Sequence, residues 1–340
     1  MSADKSASPH APQGTPGKKE AVVLVNTLAP QASAFNWVEA CSARLGPEVH
    51  VREVRVTGFE AVRKAAQEAA DAAVWLIIVV GGDGTVNSVI NGVGTKPTRI
   101  AVLPGGTSND IAYQLGQSSD LATNIAALGQ LEPFEFDAMR INGVRFAIIS
   151  AFGYPADGVA TFNRLRGKGP FVRFLLKHMG PAMYIVIYTW LAMQARKLGG
   201  AVTIRYRDLK DNVTKTLETD VIALLVMGVS TGVRGHYKFA PDSDMTDGVM
   251  ELWMCKRCST SRVFKYVSAL EKGTALEMPE VSYLRSDRFE VEWKKPLDYI
   301  VDGDPILGAD PNTTKYTFEL DPTPIRVLTP RLPRRGTLKK

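Results

Sequence analysis

Apolar and polar positions along the first 150 residues switch repeatedly between a strand period and a helical one. Val74 to Val80, VWLIIVV, is an uninterrupted apolar run rich in β-branched residues, which predicts a strand buried on both faces of a parallel sheet. Ala21 to Asn26 and Ile100 to Leu103 have the same character, and Val49, Val51, Val54 and Val56 recur at strand spacing. Helical stretches fall between them at Ser33 to Leu45 and Ala61 to Ala73, followed by a further helix at Leu121 to Leu128. This alternation predicts a doubly wound α/β domain over residues 21–147, with strands at Phe134 to Met139 and Val144 to Ile149 leading out of it. From Ala201 onward short strands dominate, at Val202 to Tyr206, Val221 to Met227, Val249 to Met254, Arg288 to Trp293 and Tyr316 to Leu320. They predict a second, antiparallel β-rich domain over residues 148–322.

Two strands of the first domain stop at glycine turns. After Val80 come Gly81, Gly82, Asp83, Gly84 and Thr85, then a helix carrying Asn87, Val89 and Ile90 for which Thr85 is the expected N-cap. Glycines here allow positive φ and close approach to a ligand, and the helix amides favour an anion. The turn is not a P-loop, since no Lys lies between residues 74 and 91, and Asn87 stands where a dinucleotide fingerprint needs its third glycine. An Asp inside a phosphate-binding turn implies a bridging metal or a proton acceptor. The second turn, Pro104-Gly105-Gly106 followed by Thr107, Ser108, Asn109 and Asp110, repeats the design, so the two would face each other across a crevice.

Composition adds limits. With 45% hydrophobic and 22% charged residues the chain is of ordinary globular type. Its 3 cysteines make no disulfide framework, and Cys255 and Cys258 lack the further ligands of a zinc site, so they read as structural. The polar residues 1–20, rich in Ser, Pro and Gly, predict a disordered tail without a signal-peptide core. Net charge is +6, unevenly spread: Gly158 to Arg207 holds no acid but nine bases, from Arg164 to Arg207, and residues 331–340 add five more. Without those two basic segments the chain is net acidic, so they are candidate contacts to an anionic surface, lipid or nucleic acid. The apolar run Ala182 to Met193, helical from Pro181 with Arg196 and Lys197 in its last turn, is too short for a span of about twenty residues. It reads either as a helix packed on the second domain or, with Phe171, Phe174 and Trp190, as an acyl-chain entrance.

GGDGTVN followed about twenty residues later by PGGTSND resembles the catalytic domain shared by diacylglycerol, sphingosine and ceramide kinases and their bacterial lipid kinase relatives. The resemblance implies an active site in the cleft between an NAD kinase-like α/β domain and a β-rich domain. Residues 323–330 would be the strand returning to the first domain. It implies transfer of the ATP γ-phosphoryl group to a lipid alcohol, with ATP and Mg2+ as cofactors. Nucleotide contacts would come from Asn26, Gly81, Gly82, Asp83, Gly84, Thr85, Asn87, Gly105, Gly106, Thr107, Asn109, Asp110 and Asp304. The general base would be Asp302, as in bacterial members, or Asp83, as in sphingosine kinases. Asp244 and Asp247, in the turn PDSDMTDG, would be metal ligands. The basic segments 164–207 and 331–340 would then meet an anionic membrane and not nucleic acid, on a cytoplasmic, peripherally associated enzyme. The chain departs from the family at Thr27 for Pro, at Ser88 for Glu, and at Pro155 where an Asp is common, with Asp157 nearby. Two other readings stay open: a soluble NAD kinase-like enzyme and a catalytically inactive lipid-binding relative.

Overall fold

The structure, a computed structural model, describes residues 19–106, 108–166, 168–169, 181–194, 197–240, 243–303 and 310–330. Thr107, Asp304, Phe171, Phe174, Arg173, Lys177, Arg196 and both terminal tails lie outside the described residues.

The first sheet has six strands. Chain order runs β1 (Lys19–Asn26), α1 (Trp37–Leu45), β2 (Val49–Val56), α2 (Phe59–Asp71), β3 (Leu76–Gly81), α3 (Asp83–Val93), β4 (Arg99–Pro104), α4 (Asp110–Gln114), α5 (Leu121–Ala127) and β5 (Glu132–Phe136). Spatial order is β2-β1-β3-β4, then β18 (Ile325–Thr329), then β5. All neighbours are parallel except β5, which runs antiparallel to β18. Every residue of β3 is buried because alternate side chains enter different cores. Ile77 and Val79 pack with Val62 and Ala66 of α2 and Val89 and Ile90 of α3. Leu76, Ile78 and Val80 pack with Trp37 and Cys41 of α1 and Ile125 of α5. At about 1.5–3 kcal/mol for each large apolar side chain buried, this double burial is what holds the run as a strand without polar alternation.

The second sheet has ten strands and is antiparallel throughout. Its elements are β6 (Met139–Ile141), β7 (Val144–Phe146), β8 (Ile149–Gly153), α6 (Tyr154–Arg166), α7 (Pro181–Met193), β9 (Gly200–Arg207), β10 (Thr214–Met227), β13 (Met250–Lys256), α8 (Thr260–Lys272), β14 (Val281–Ser286), β15 (Arg288–Trp293), β16 (Tyr299–Val301) and β17 (Lys315–Leu320). The small hairpin β11 (Thr231–Gly232) and β12 (Tyr237–Lys238) stands apart from both sheets. Strand β10 pairs with β9 along its polar first half, then with β8 and β13 along Val221–Met227, where every side chain is buried.

Three expectations change. The crossing from the first sheet to the second comes between Phe136 and Met139, since β6 and β7 pair within the second sheet. Helix α7 ends at Met193, so Lys197 lies beyond its last turn. Helix α3 starts at Asp83 with Gly82 as its N-cap, which puts Thr85 inside the helix. No helix among the described residues is long and apolar enough to cross a membrane.

Candidate active site

In the order β2-β1-β3 the chain leaves β1 toward one side for β2 and returns on the other for β3, so the carboxyl ends of β1 and β3 flank a topological switch point. Asn26 ends β1 and Gly81 ends β3, while Pro104 ends β4 beside them. The two glycine turns touch. The Gly105 amide donates to the Gly81 carbonyl at 2.8 Å. A Cβ on Gly106 would lie 2.5 Å from the Gly82 Cα, and one on Gly82 would lie 3.1 Å from the Gly106 Cα. None of Gly81, Gly82, Gly84, Gly105 or Gly106 has positive φ, so the glycines serve backbone-on-backbone contact and not unusual dihedrals.

Side chains brace this edge. Buried Asn26 donates to the Thr85 hydroxyl (3.1 Å), and its carbonyl oxygen accepts from Leu28 N (3.2 Å) and Gly58 N (3.4 Å), tying the ends of β1 and β2 to α3. Asn109, left-handed at φ 53°, exchanges two bonds of 2.9 Å with the Gly106 backbone and closes the second turn. Asp83 crosses between the turns, accepting from Ile111 N at 2.9 Å and also from the Asp110 amide. Burial pushes its carboxyl up to about 7, helped by the charges of Asp110 and Asp302 and opposed by those amides. Burial likewise raises Asp110, against the Arg234 amide and charge.

Asp302 is built differently. It is 1% exposed and left-handed at φ 49°. Its Oδ1 accepts from Ile148 N (2.9 Å) and Ile149 N (3.1 Å), and its Oδ2 from Ala147 N (2.8 Å) and Asn87 Nδ2 (2.8 Å). A carboxylate offers about four acceptor positions, and here four donors fill them. Burial drives this carboxyl up and the four donors draw it back. Around it Asn91 donates to Asn87 and to the Arg145 carbonyl, and accepts from Arg145 N. The Arg145 guanidinium reaches the Gly94 carbonyl, the Thr323 carbonyl (2.7 Å) and Asp321 (2.7 Å). Helix α3 is thereby fastened to the second lobe.

The two residues predicted to hold a metal each have protein partners. Asp244 Oδ1 accepts from the Thr246 amide and hydroxyl, whereas Asp247 bonds Val249 N and pairs with Arg285 at 2.5 Å. Among the described residues no cluster of three His, Cys, Asp or Glu side chains is arranged for a metal ion. Cys41, Cys255 and Cys258 are free thiols, with burial raising Cys255 and Cys258. Sequence reasoning missed Asn91 and Arg145, whose roles exist only in the folded contact, and Arg234, which reaches the second turn from the other lobe.

Residues 20–141 match the diacylglycerol kinase catalytic domain family, and residues 185–329 match the YegS C-terminal NAD kinase beta sandwich-like domain family. The chain is 24% identical over 276 residues to a diacylglycerol kinase of Staphylococcus carnosus (strain TM300), covering 77% of this chain and 83% of that one. It is 26% identical over 245 residues to a diacylglycerol kinase of Bacillus subtilis (strain 168), covering 71% and 74%. A crystal structure described as that of a diacylglycerol kinase from Bacillus anthracis str. Sterne shares the fold, with TM-score 0.64 at 18% identity over 93% of this chain and 98% of that one. A second crystal structure from the same organism superposes with TM-score 0.70 at 20% identity, over 93% and 99%. With an α/β lobe and a β-rich lobe each matched in order along one chain, the protein belongs to the bacterial-type lipid kinase family.

Proposed function

We propose that this lipid kinase transfers the γ-phosphoryl group of ATP to the hydroxyl of a lipid alcohol, with diacylglycerol as the first candidate acceptor. The observation that carries the reading is the pair of glycine turns pressed backbone to backbone at the switch point of the parallel sheet. Such a transfer needs chiefly positioning and charge neutralisation, because the migrating group is loosely bonded at its transition state. Gly81, Gly82 and Gly84 would let the nucleotide phosphates approach the main chain, the Gly105 and Gly106 amides being committed to the Gly81 carbonyl and to Asn109 Oδ1, with Thr107 and Asp304 as further expected contacts. The names of the curated relatives favour diacylglycerol over ceramide or a sphingoid base.

Of the two carboxylates weighed as proton acceptor, Asp83 fits better. Its carboxyl lies near neutrality, where a general base works best, whereas Asp302 has no acceptor position left for a substrate hydroxyl. Asp302 acts as a positioning residue that sets Asn87 and α3 against the second lobe. Magnesium would offset charge on the nucleotide, and Asp244 and Asp247 are kept as its expected ligands.

The lipid side is assigned to the second lobe. Val186, Trp190 and Met193 recur on one face of α7 and are 52%, 50% and 60% exposed, while Ile187, Leu191 and Ala192 pack inward. Arg164, Lys168 and Lys197 are exposed on either side of this helix in sequence. An apolar face with cations near it suits the surface of an anionic bilayer, each cation near that surface adding about 1 kcal/mol. The test of the function is to incubate the purified protein with γ-labelled ATP, magnesium and separate micelles of diacylglycerol, ceramide, sphingosine and phosphatidylglycerol. Label in diacylglycerol is the expected result. Label in NAD and in no lipid would replace this reading with a soluble NAD kinase-like one, and nucleotide binding without turnover would leave a lipid-binding relative.

A further inference from the structure

The segments that follow β1, β3 and β4 carry no positive charge: residues 27–36, 82–91 and 105–114 contain neither Lys nor Arg, yet include Asp83 and Asp110. A site for several phosphates made of amides, one buried acid and one half-buried acid would lack the cation that such anions demand. The second lobe brings one. Its β11–β12 hairpin leans on the second glycine turn and α4 through hydrogen bonds of Gln114 and Arg234. Gln114 Nε2 donates to the Thr231 carbonyl (2.8 Å) and hydroxyl (3.0 Å). The Arg234 amide donates to Asp110 Oδ1 (2.5 Å), and Arg234 Nε donates to the Ser108 carbonyl.

The tip of this hairpin is conformationally expensive. Val233, Arg234 and Gly235 are left-handed in succession, at φ 50°, 53° and 80°. For the two that are not glycine this costs roughly 1–2 kcal/mol each. Gly235 is also pressed on the Tyr113 hydroxyl, which a Cβ there would approach to 2.3 Å. The surrounding contacts therefore hold Arg234 at one place, exposed and beside the glycine turn.

We propose that Arg234 binds the outer phosphates of the nucleotide, so that the β-rich lobe completes the phosphate site of the α/β lobe. A guanidinium fixed by its Nε offers planar, charge-assisted bonds to phosphate oxygens. This inference rests on the ATP-dependent reading above and adds the residue that sets its phosphate affinity.

The test is equilibrium titration of ATP and of AMP against the full chain, carrying either the native residue, Arg234→Gln or Arg234→Gly. Glutamine removes the charge and keeps the backbone bond to Asp110, and glycine suits the left-handed backbone, so at least one variant keeps the hairpin docked. The expected result is ATP affinity at least tenfold weaker in both variants, AMP affinity changed less than twofold, and thermal midpoints close to that of the native protein. Unchanged ATP affinity, or equal losses for ATP and AMP, would overturn the inference while leaving the nucleotide site in place. A native protein that binds neither nucleotide would overturn it together with the function it rests on.

Discussion

Two buried aspartates, Asp83 at the glycine turn and Asp302 at the lobe junction, look alike in sequence, each inside a short acidic glycine motif. Their surroundings differ. The fold holds Asp83 by the Ile111 and Asp110 amides and raises it to about 7. Asp302 is surrounded by three amides and Asn87, with no position left to accept a further proton. The contrast teaches that burial alone does not make a catalytic carboxylate: an acid whose acceptor sites are filled serves as a fastening, and one poised near neutral pH can exchange protons.

The largest expected effect is from Asp83→Asn, which should lower kcat by about 10²–10⁴-fold while the protein stays folded. Stability should also respond to this group. Because its folded carboxyl is raised from 3.8 to about 7, the native state binds the extra proton in that window, so stability declines as pH climbs from about 4 to 7 and levels off above. Asn at this position should flatten that slope, measured as denaturant midpoint against pH. Next comes Asp302→Asn, which turns an amide NH2 toward amide donors and should destabilise the fold by roughly 2–5 kcal/mol, seen as a lower thermal midpoint. Its activity per folded molecule should fall much less than that of Asp83→Asn. Activity abolished by Asp302→Asn at an unchanged midpoint would reverse the two roles.

A smaller effect is expected where the turns meet. Gly106→Ala forces a methyl to 2.5 Å from the Gly82 Cα and should destabilise by about 1–3 kcal/mol, with weaker nucleotide binding by titration. The smallest is at α7: Trp190→Ala should weaken sedimentation with anionic vesicles roughly fivefold, corresponding to about 1 kcal/mol of apolar contact. Binding indifferent to that change, to anionic lipid and to salt would remove the membrane face from the account.

Strands β1, β3 and β4 were legible because each apolar run feeds two cores, and both glycine turns because the runs of β3 and β4 break off abruptly into glycine. The N-cap was misplaced because Thr85 has the right chemistry for a cap yet spends its hydroxyl on Asn26. The first half of β10 was missed since it carries polar residues beyond the core and shows little apolar pattern. Arg145 and Arg234 carried no local signal, as the partners named for them lie 51 or more positions away in the chain, and Asn91 meets Arg145 54 positions away as well as Asn87 on its own helix. The division of labour proposed for Asp83 and Asp302 likewise rests on which amides the fold turns toward each.

The most direct test is the pH dependence of kcat for transfer of label from ATP to diacylglycerol, taken on the native protein, Asp83→Asn and Asp302→Asn. The account predicts a rate that rises with pH through about 7 in the native protein, the same limb in whatever Asp302→Asn protein is folded, and its loss in Asp83→Asn. A limb that survives in Asp83→Asn and vanishes in folded Asp302→Asn would contradict it.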